Sequence, residues 1–257
     1  MSERIEQGTA QTLKGYLEML ATASVIALCA VAVWLGISQR LASAPPVPPV
    51  NAAARAPDAS LNRTISLAGA ATIGERGARV AVIEYSDFHC PFCSRFAETT
   101  WPELASEYVK SGRALWAFKH FPLEAAHPHA FRAAEASGCA LQQGRFWDMH
   151  DRLFASPAAP TDERLLEHAA ALKLDVPRFT KCMTGEVASQ VRQDIDTGKQ
   201  LGVAGTPTFF LGTVQDDGLV VVRKRITGAI PAAHFRTVLE AFFKEVEPAK
   251  TARNRES

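Results

Sequence analysis

The stretch that decides the fold is residues 80–93, which read VAVIEYSDFHCPFC. It begins with an uninterrupted β-branched and apolar run, which predicts a strand covered on both faces. A helical pattern starts at the CPFC motif of residues 90–93 and continues to about Lys110. Cys90 is therefore at a predicted helix N-terminus, where free backbone amides and the helix dipole stabilise a thiolate. The motif predicts a reactive Cys90 that can form a small disulfide ring with Cys93.

The chain after this stretch follows an α/β order. Residues 114–118 (ALWAF) read as a second strand, so that strand, helix and strand form one parallel, right-handed crossover unit. Residues 127–202 are dominated by helix-forming segments. Residues 205–211 and 219–226 read as two strands of a hairpin, and residues 231–246 supply a last amphipathic helix. The predicted order is βαβ, a helical insert, and then ββα.

The cysteines of the motif could instead be half of a structural zinc site. Such a site needs a second pair of ligands at a similar spacing, and Cys139 and Cys182 are isolated from each other. The histidines at positions 127 and 129 flank a proline and lack a third ligand. The sequence also has no phosphate-binding loop. Redox chemistry is therefore favoured, and neither a metal nor a cofactor is expected.

The sequence resembles the DsbA-like thiol-disulfide oxidoreductases of the thioredoxin superfamily over about residues 64–247. The resemblance is carried by VIEY at 82–85 before FHCPFC at 88–93, by GRFW at 144–147, and by LGVAGTPT at 201–208. It implies a thioredoxin fold with a helical insertion domain at about residues 127–202. It also implies an enzyme that exchanges disulfides with thiol-containing client proteins.

The resemblance further implies which residues form the catalytic site. Cys90 and Cys93 would be the redox-active disulfide, and a cis Thr206–Pro207 peptide bond would face it. Pro207 would thus belong to the catalytic site, and the backbone of Thr206 would hydrogen-bond an extended substrate segment. His89, adjacent to the nucleophile, is a further candidate for substrate contact and for an effect on the charge of Cys90.

Glu84 lies six residues before Cys90, where thioredoxin-like proteins have a buried acid. A buried carboxyl group has a raised pKa and can pass a proton to or from Cys93. Lys119, at the end of the second predicted strand, is a candidate partner for its charge. The alternative is that Glu84 faces solvent on an edge strand. The doubly covered run around it favours burial and a catalytic role.

Two residues depart from the pattern of the best-known DsbA enzymes. Those enzymes have histidine where Phe92 stands and valine where Thr206 stands. The histidine helps to stabilise the thiolate, whereas Phe92 cannot donate such a hydrogen bond. We therefore expect a somewhat less oxidising protein, with a Cys90 pKa above that of a Phe92→His variant.

Cys139 and Cys182 are the remaining cysteines of the predicted domain. Several members of the resembled family carry a second, structural disulfide in the helical insert, and these two positions look similar. The alternative is a pair of inert buried thiols. A persistent disulfide would indicate an oxidising compartment.

The N-terminal part of the chain differs in composition from the rest. Residues 20–37 contain no charged residue and are just long enough to cross a bilayer as a helix, so residues 1–41 are predicted to carry a single transmembrane anchor. A cleaved signal peptide and a buried core helix are the alternatives, and Pro45, directly after a possible cleavage site, favours retention. Residues 42–63 are rich in proline and alanine and are predicted to form a linker. Residues 248–257 are predicted to form a disordered tail.

Charge and composition limit the partners. The 28 Lys and Arg against 27 Asp and Glu leave a net charge of +1, so no nucleic-acid partner is expected. The expected partners are client proteins, the membrane, and a redox partner that is either a membrane oxidase or an electron donor. We expect a periplasmic domain anchored in the bacterial inner membrane. Alternatives are a disulfide reductase or isomerase using the same cysteines, and a thioredoxin-fold chaperone or binding module.

Overall fold

A computed structural model describes residues 61–156 and 159–246 of the protein. Six strands lie within these residues: β1 (Thr64–Ser66), β2 (Ala71–Ile73), β3 (Val80–Ser86), β4 (Ala114–His120), β5 (Thr208–Val214) and β6 (Leu219–Thr227). They form one mixed sheet in the order β1-β6-β5-β3-β4-β2. The predicted α/β order is therefore present in the described part of the chain.

The helices follow the strands in the predicted order. They are α1 (Pro91–Thr99), α2 (Trp101–Leu104), α3 (Ala130–Leu141), α4 (Phe146–Ala155), α5 (Asp162–Ala171), α6 (Val176–Cys182), α7 (Ala188–Gln200) and α8 (Ala232–Val246). A π-helical turn at Ala105–Val109 continues α2. Helices α3 to α7 come between β4 and β5 and form the helical insertion that the resemblance implied.

β3 is the central strand that carries the chain into the motif. It pairs with β4 in parallel and with β5 antiparallel, and all of its residues are buried. On one face of the sheet, Val82 belongs to the same core cluster as Phe96 of α1 and Phe235 of α8. On the other face, Ile83 packs in a separate cluster. The prediction of a strand covered on both faces is confirmed.

Helix α7 approaches the second face of the sheet closely at Gly198. A Cβ atom at this position would lie 2.7 Å from the Phe121 ring and 3.1 Å from Tyr85, so a larger residue would force the helix away. Nearby, Lys119 Nζ of β4 is 2.8 Å from Asp194 Oδ1 of α7, and both side chains are buried. Small-residue packing and a buried ion pair thus attach the insertion to the sheet.

The insertion contains its own covalent link. Cys139 of α3 and Cys182 of α6 form a disulfide, with their Cα atoms 5.8 Å apart. Both cysteines are buried in a core cluster made largely by the insertion. The pairing that the resemblance implied is present in the structure.

Two features of the fold were not predicted. The strands β1 and β2 have three residues each and pair antiparallel with β6 and β4 at the sheet edges. The helix predicted to run to about Lys110 is interrupted at Thr100, which separates α1 from α2. Pro102 explains the interruption because it has no amide to donate to the carbonyl group four residues earlier.

The predicted anchor at residues 20–37, most of the linker at 42–63 and the tail at 248–257 lie outside the described residues. Among the helices of residues 61–156 and 159–246, none has the length and apolar character needed to span a bilayer.

Candidate active site

The CPFC motif lies where β3 is followed by α1. The chain turns after Ser86, and the Cys90 amide donates to the Asp87 carbonyl at 3.1 Å. Cys90 is the N-cap of α1 with extended backbone angles (φ −83°, ψ 123°), and Pro91 follows in the first helical turn. A proline is well suited to this place because the missing amide would have no helical partner. The structure thus places Cys90 at the helix N-terminus that the sequence predicts.

The local environment of Cys90 favours its thiolate. A hydrogen bond from the Cys93 thiol is the main cause that lowers the pKa of Cys90 to about 5. The Thr206 side chain and the backbone amides of Phe92 and Cys93 lower it further, while burial opposes them. Cys90 is therefore ionised at neutral pH. The amide contribution follows from the helix predicted by the sequence, whereas the larger contribution of the neighbouring thiol depends on the folded turn.

Cys93 has the opposite character. Its side chain is fully buried, and burial raises the pKa of Cys93 well above its usual value. Its hydrogen bond to Cys90 and the negative charge on that sulfur raise the pKa further. Both cysteines are free thiols in this structure. The pair therefore consists of an ionised nucleophile and a protonated thiol beneath it.

The Thr206–Pro207 peptide bond is cis and lies beside Cys90. The Cys90 Sγ atom lies 3.5 Å from the Thr206 carbonyl oxygen. The Pro207 carbonyl accepts a hydrogen bond from the Gly228 amide at 2.8 Å, which holds the loop on β6. Thr206 and Pro207 are thus brought next to the nucleophile, as the resemblance implied.

Glu84 is buried on the sheet face that carries α1, with 2% of its surface exposed. Burial raises the pKa of Glu84, and the nearby His150 opposes the rise. The indole nitrogen of Trp116 donates to Glu84 Oε2 at 3.0 Å. The structure therefore places a buried carboxyl group with a raised pKa below the motif, and the solvent-facing alternative is wrong.

The predicted pairing of Lys119 with Glu84 is wrong. Successive residues of a strand point to opposite faces, and Glu84 lies on the same face as Trp116 of β4. Lys119 therefore faces the other side, where it pairs with Asp194. The ionisable side chain near Glu84 is that of His150 of α4, and no pattern in the sequence connects this residue with the strand.

His89 lies in a small group of histidines near the motif. Its ring centroid is 5.5 Å from that of His127 and 6.1 Å from that of His129. Asp87 organises this group: Oδ1 accepts from the His89 amide at 2.7 Å, and Oδ2 lies 2.7 Å from His127 Nδ1. Sequence reasoning missed Asp87. In the part of the chain that the structure describes, no group of histidines, cysteines and acids is arranged to hold a metal ion.

A groove with a volume of about 410 Å³ opens beside Cys90. One wall comes from α1, including Pro91 and Arg95, and the other includes Leu153 of α4. His89 also lines the groove. A bound molecule in this groove would have direct access to the nucleophilic sulfur.

A substitution at Phe92 can test how the surroundings of Cys90 stabilise its thiolate. Its side chain is 52% exposed, and the Arg95 guanidinium lies 5.3 Å from its ring centroid. In Phe92→His, a hydrogen-bond donor and partial positive charge near Cys90 should lower the pKa of Cys90 by about 1. Thiolate-absorbance titration measures the change, with Phe92→Leu as the control. An equal or higher pKa in Phe92→His than in the wild type would contradict the expectation.

Comparison with curated proteins finds relatives that are much longer than this chain. The chain is 42% identical over 139 residues to Na(+)/H(+) antiporter NhaA 3 of Salinispora tropica, and the match covers 54% of this chain and 21% of that protein. The match to Na(+)/H(+) antiporter NhaA 1 of Salinispora arenicola is 40% identical with the same coverage. The chain thus spans about a fifth of the length of the curated relatives it matches.

Comparison with solved structures finds DsbA-like folds. Wolbachia pipientis alpha-DsbA1 matches with a TM-score of 0.59 and 23% identity, covering 68% of this chain and 92% of that one. BdbD from Bacillus subtilis matches with a TM-score of 0.61 and 22% identity, covering 72% and 98%. The sequence model named Thioredoxin_4 and described as thioredoxin matches residues 67–220, which is more than half of the chain. The chain therefore belongs to this thioredoxin family and shares the fold of these DsbA-like structures.

Proposed function

We propose that the protein is a thiol-disulfide oxidoreductase that forms or exchanges disulfides in extracytoplasmic client proteins through Cys90 and Cys93. The observation that carries the proposal is the contrast between the two sulfurs. The pKa of Cys90 falls to about 5 while burial raises the pKa of Cys93. This is the asymmetry that a two-cysteine exchange site needs, because one sulfur must react with clients and the other must react only with its neighbour.

The reaction begins from the oxidised protein. A client thiolate attacks the Cys90 sulfur, the Cys90–Cys93 bond breaks, and Cys93 leaves as a thiolate that takes up a proton. A second client thiolate then attacks the client sulfur of the mixed disulfide, and Cys90 departs as a thiolate. The client loses two electrons and gains a disulfide, while the protein gains them as a dithiol. The low pKa of Cys90 makes it a good leaving group.

The surroundings of Cys90 support binding of an extended client segment. The cis Thr206–Pro207 bond lies beside the sulfur, and proline there removes one backbone donor from the contact surface. The groove between α1 and α4 offers space on another side of Cys90. We propose Thr206, Pro207 and His89 as the residues that touch the client.

The direction of electron flow that we propose is oxidation of the client. An ordinary cysteine thiol is protonated below about pH 8.5, whereas Cys90 remains a thiolate down to about pH 5. The reduced protein is therefore stabilised relative to its disulfide. This stabilisation is fully present above the ordinary pKa and disappears as the pH falls through about 5. A stabilised dithiol makes the disulfide form a stronger oxidant.

The proposed location is a periplasmic domain anchored in the inner membrane by residues 20–37. The Cys139–Cys182 disulfide supports an oxidising compartment. The curated relatives carry the name of an ion antiporter, which agrees with a membrane association, but the chain matches about a fifth of their length and antiport is not part of the proposal. A membrane oxidase would restore the Cys90–Cys93 disulfide without any cofactor on this protein.

The proposal can be tested with one equilibrium measurement and two activity assays. Equilibration with glutathione gives the redox potential, oxidative refolding of a reduced client measures oxidation, and insulin reduction measures the opposite direction. We expect the protein to catalyse oxidative refolding. We also expect its reduction potential to be less negative than the value of about −270 mV for thioredoxin. Insulin reduction with a more reducing potential would favour the reductase alternative. Client binding without either activity would favour a chaperone or binding module.

A further inference from the structure

Ser86 is the last residue of β3 and lies between the strand and the motif. Alternation along the strand puts Ser86 on the same face as Val82 and Glu84, which is the face covered by α1. Its side chain is 1% exposed. Its carbonyl accepts a hydrogen bond from the Phe121 amide at 2.8 Å, so the main chain is held while the hydroxyl faces the interior.

The Ser86 hydroxyl is buried without a hydrogen-bond partner at normal distance. A buried hydroxyl in this state costs stability unless it has a function or a transient partner. Two groups lie within its electrostatic reach. The hydroxyl lowers the pKa of the Glu84 carboxyl group and also lowers the pKa of the Cys93 thiol. Ser86 thus shares a strand face with the buried acid, and the buried thiol lies in the first turn of the helix that covers this face.

We propose that the Ser86 hydroxyl is the bridge over which a proton passes between Cys93 Sγ and the Glu84 carboxylate. The inference rests on the proposed function, since it describes the proton that this exchange must move. When Cys93 attacks a mixed disulfide, its proton goes to Ser86 Oγ as the hydroxyl proton goes to Glu84. The products are a Cys93 thiolate, an intact serine and a neutral Glu84. The reverse transfer protonates Cys93 when it leaves.

Several groups face this bridge. His120 of β4 pairs with Ser86 in the parallel register and lies on the same face, with its Nδ1 atom buried and without a hydrogen-bond partner among the described residues. Burial lowers the pKa of His120 to about 4, so it is neutral in the pH range of the exchange reaction. Trp116 of β4 donates to Glu84 Oε2 and holds the carboxyl group. The ring of His150 of α4 also lies near Glu84. Cys90, from the start of α1, accepts a hydrogen bond from the Cys93 thiol. Lys119 lies on the opposite face with Asp194 and takes no part. Ser86 is therefore the group that we place in the proton path between Cys93 and Glu84.

The two sulfurs can be followed separately with an aromatic disulfide such as Ellman's reagent. In excess reduced protein, Cys90 attacks the reagent and releases one aromatic thiolate, and Cys93 then attacks the mixed disulfide and releases the second. We expect Ser86→Ala to leave the first rate within about twofold and to slow the second by about tenfold or more. The matched control is Ser137→Ala, another buried serine, whose hydroxyl donates to the Ala134 carbonyl within α3.

The pH profile separates proton transfer from a packing effect. In the wild type, the second rate should level off once Glu84 is ionised, whereas in Ser86→Ala it should keep rising with hydroxide concentration. Glu84→Gln should slow the same step, and the double variant should be no slower than the slower single variant. If the circular dichroism spectrum shows that Ser86→Ala does not fold like the wild type, Ser86→Gly replaces it, and the same two rates are measured.

Failure of the Ser86 bridge and failure of the proposed function would give different results in these experiments. A wild-type second rate and pH profile in the folded serine variant would overturn the bridge and leave the proposed function standing. Additive slowing in the double variant would also overturn the bridge, because it would show two separate routes. If wild-type protein released only the first thiolate, the proposed function itself would be lost.

Discussion

Cys90→Ser is expected to lose thiol-disulfide exchange, with rates of client oxidation reduced by a factor of at least about 10³. Cys90 is the ionised sulfur at the helix N-terminus, whereas Cys93 is fully buried and its pKa is raised. Cys93 therefore cannot replace the missing nucleophile. Oxidative refolding of a reduced client, with stoichiometric oxidant present, is the measurement.

Cys93→Ser is the informative comparison for this prediction. With Cys90 still ionisable but no neighbouring thiol to resolve its adducts, the Cys90 thiolate should attack disulfide-bonded client and displace one client sulfur as a thiolate. The resulting mixed disulfides should accumulate and be visible on non-reducing gels. A variant lacking Cys139 and Cys182 serves as the control for loss of cysteines in general. Client oxidation by Cys90→Ser at a rate near that of the wild type would show that the reaction uses another sulfur.

The double variant Cys139→Ala/Cys182→Ala is expected to lose about 4 kcal/mol of stability. The disulfide joins residues separated by 43 positions, and a loop of that length loses much of its freedom in the unfolded chain when it is closed. Alanine is the appropriate replacement because both sites are buried and a serine hydroxyl would lack a partner. Chemical denaturation of oxidised wild type and variant measures the difference.

The Cys90 alkylation rate is the control in this second experiment. It should remain within about twofold of the wild type in folded protein, since thiolate stabilisation depends on the Cys93 thiol, Thr206 and local backbone amides. An unfolding free energy equal to that of the wild type would mean that the disulfide does not constrain the unfolded chain as the loop length implies.

The parts of the fold that could be predicted have strong local signals. The apolar run of β3 indicated a doubly covered strand, and the motif after it indicated a helix N-terminus with Cys90 at its cap. The strands β1 and β2 could not be found because three residues at a sheet edge give no usable periodicity. Pro102 was a signal for the break between α1 and α2, but the surrounding helical pattern concealed it.

The contacts that complete the site depend on register and on distant helices. Lys119 and Glu84 both lie in central strands, and only the relative faces of β3 and β4 decide that they point apart. His150 approaches Glu84 from the insertion, which no local pattern connects to the strand. The position of Ser86 could have been found from its spacing of two residues after Glu84, which puts both on one face.

The two walls of the groove beside Cys90 come from different parts of the protein. The wall from α1 carries the sulfur, and the wall from α4 belongs to the insertion. Mutations on the insertion wall can thus alter which molecules fit without changing the electronic environment of the reacting atom. Because the two walls belong to different elements, the range of molecules that bind can change during evolution while the chemistry of the sulfur stays the same.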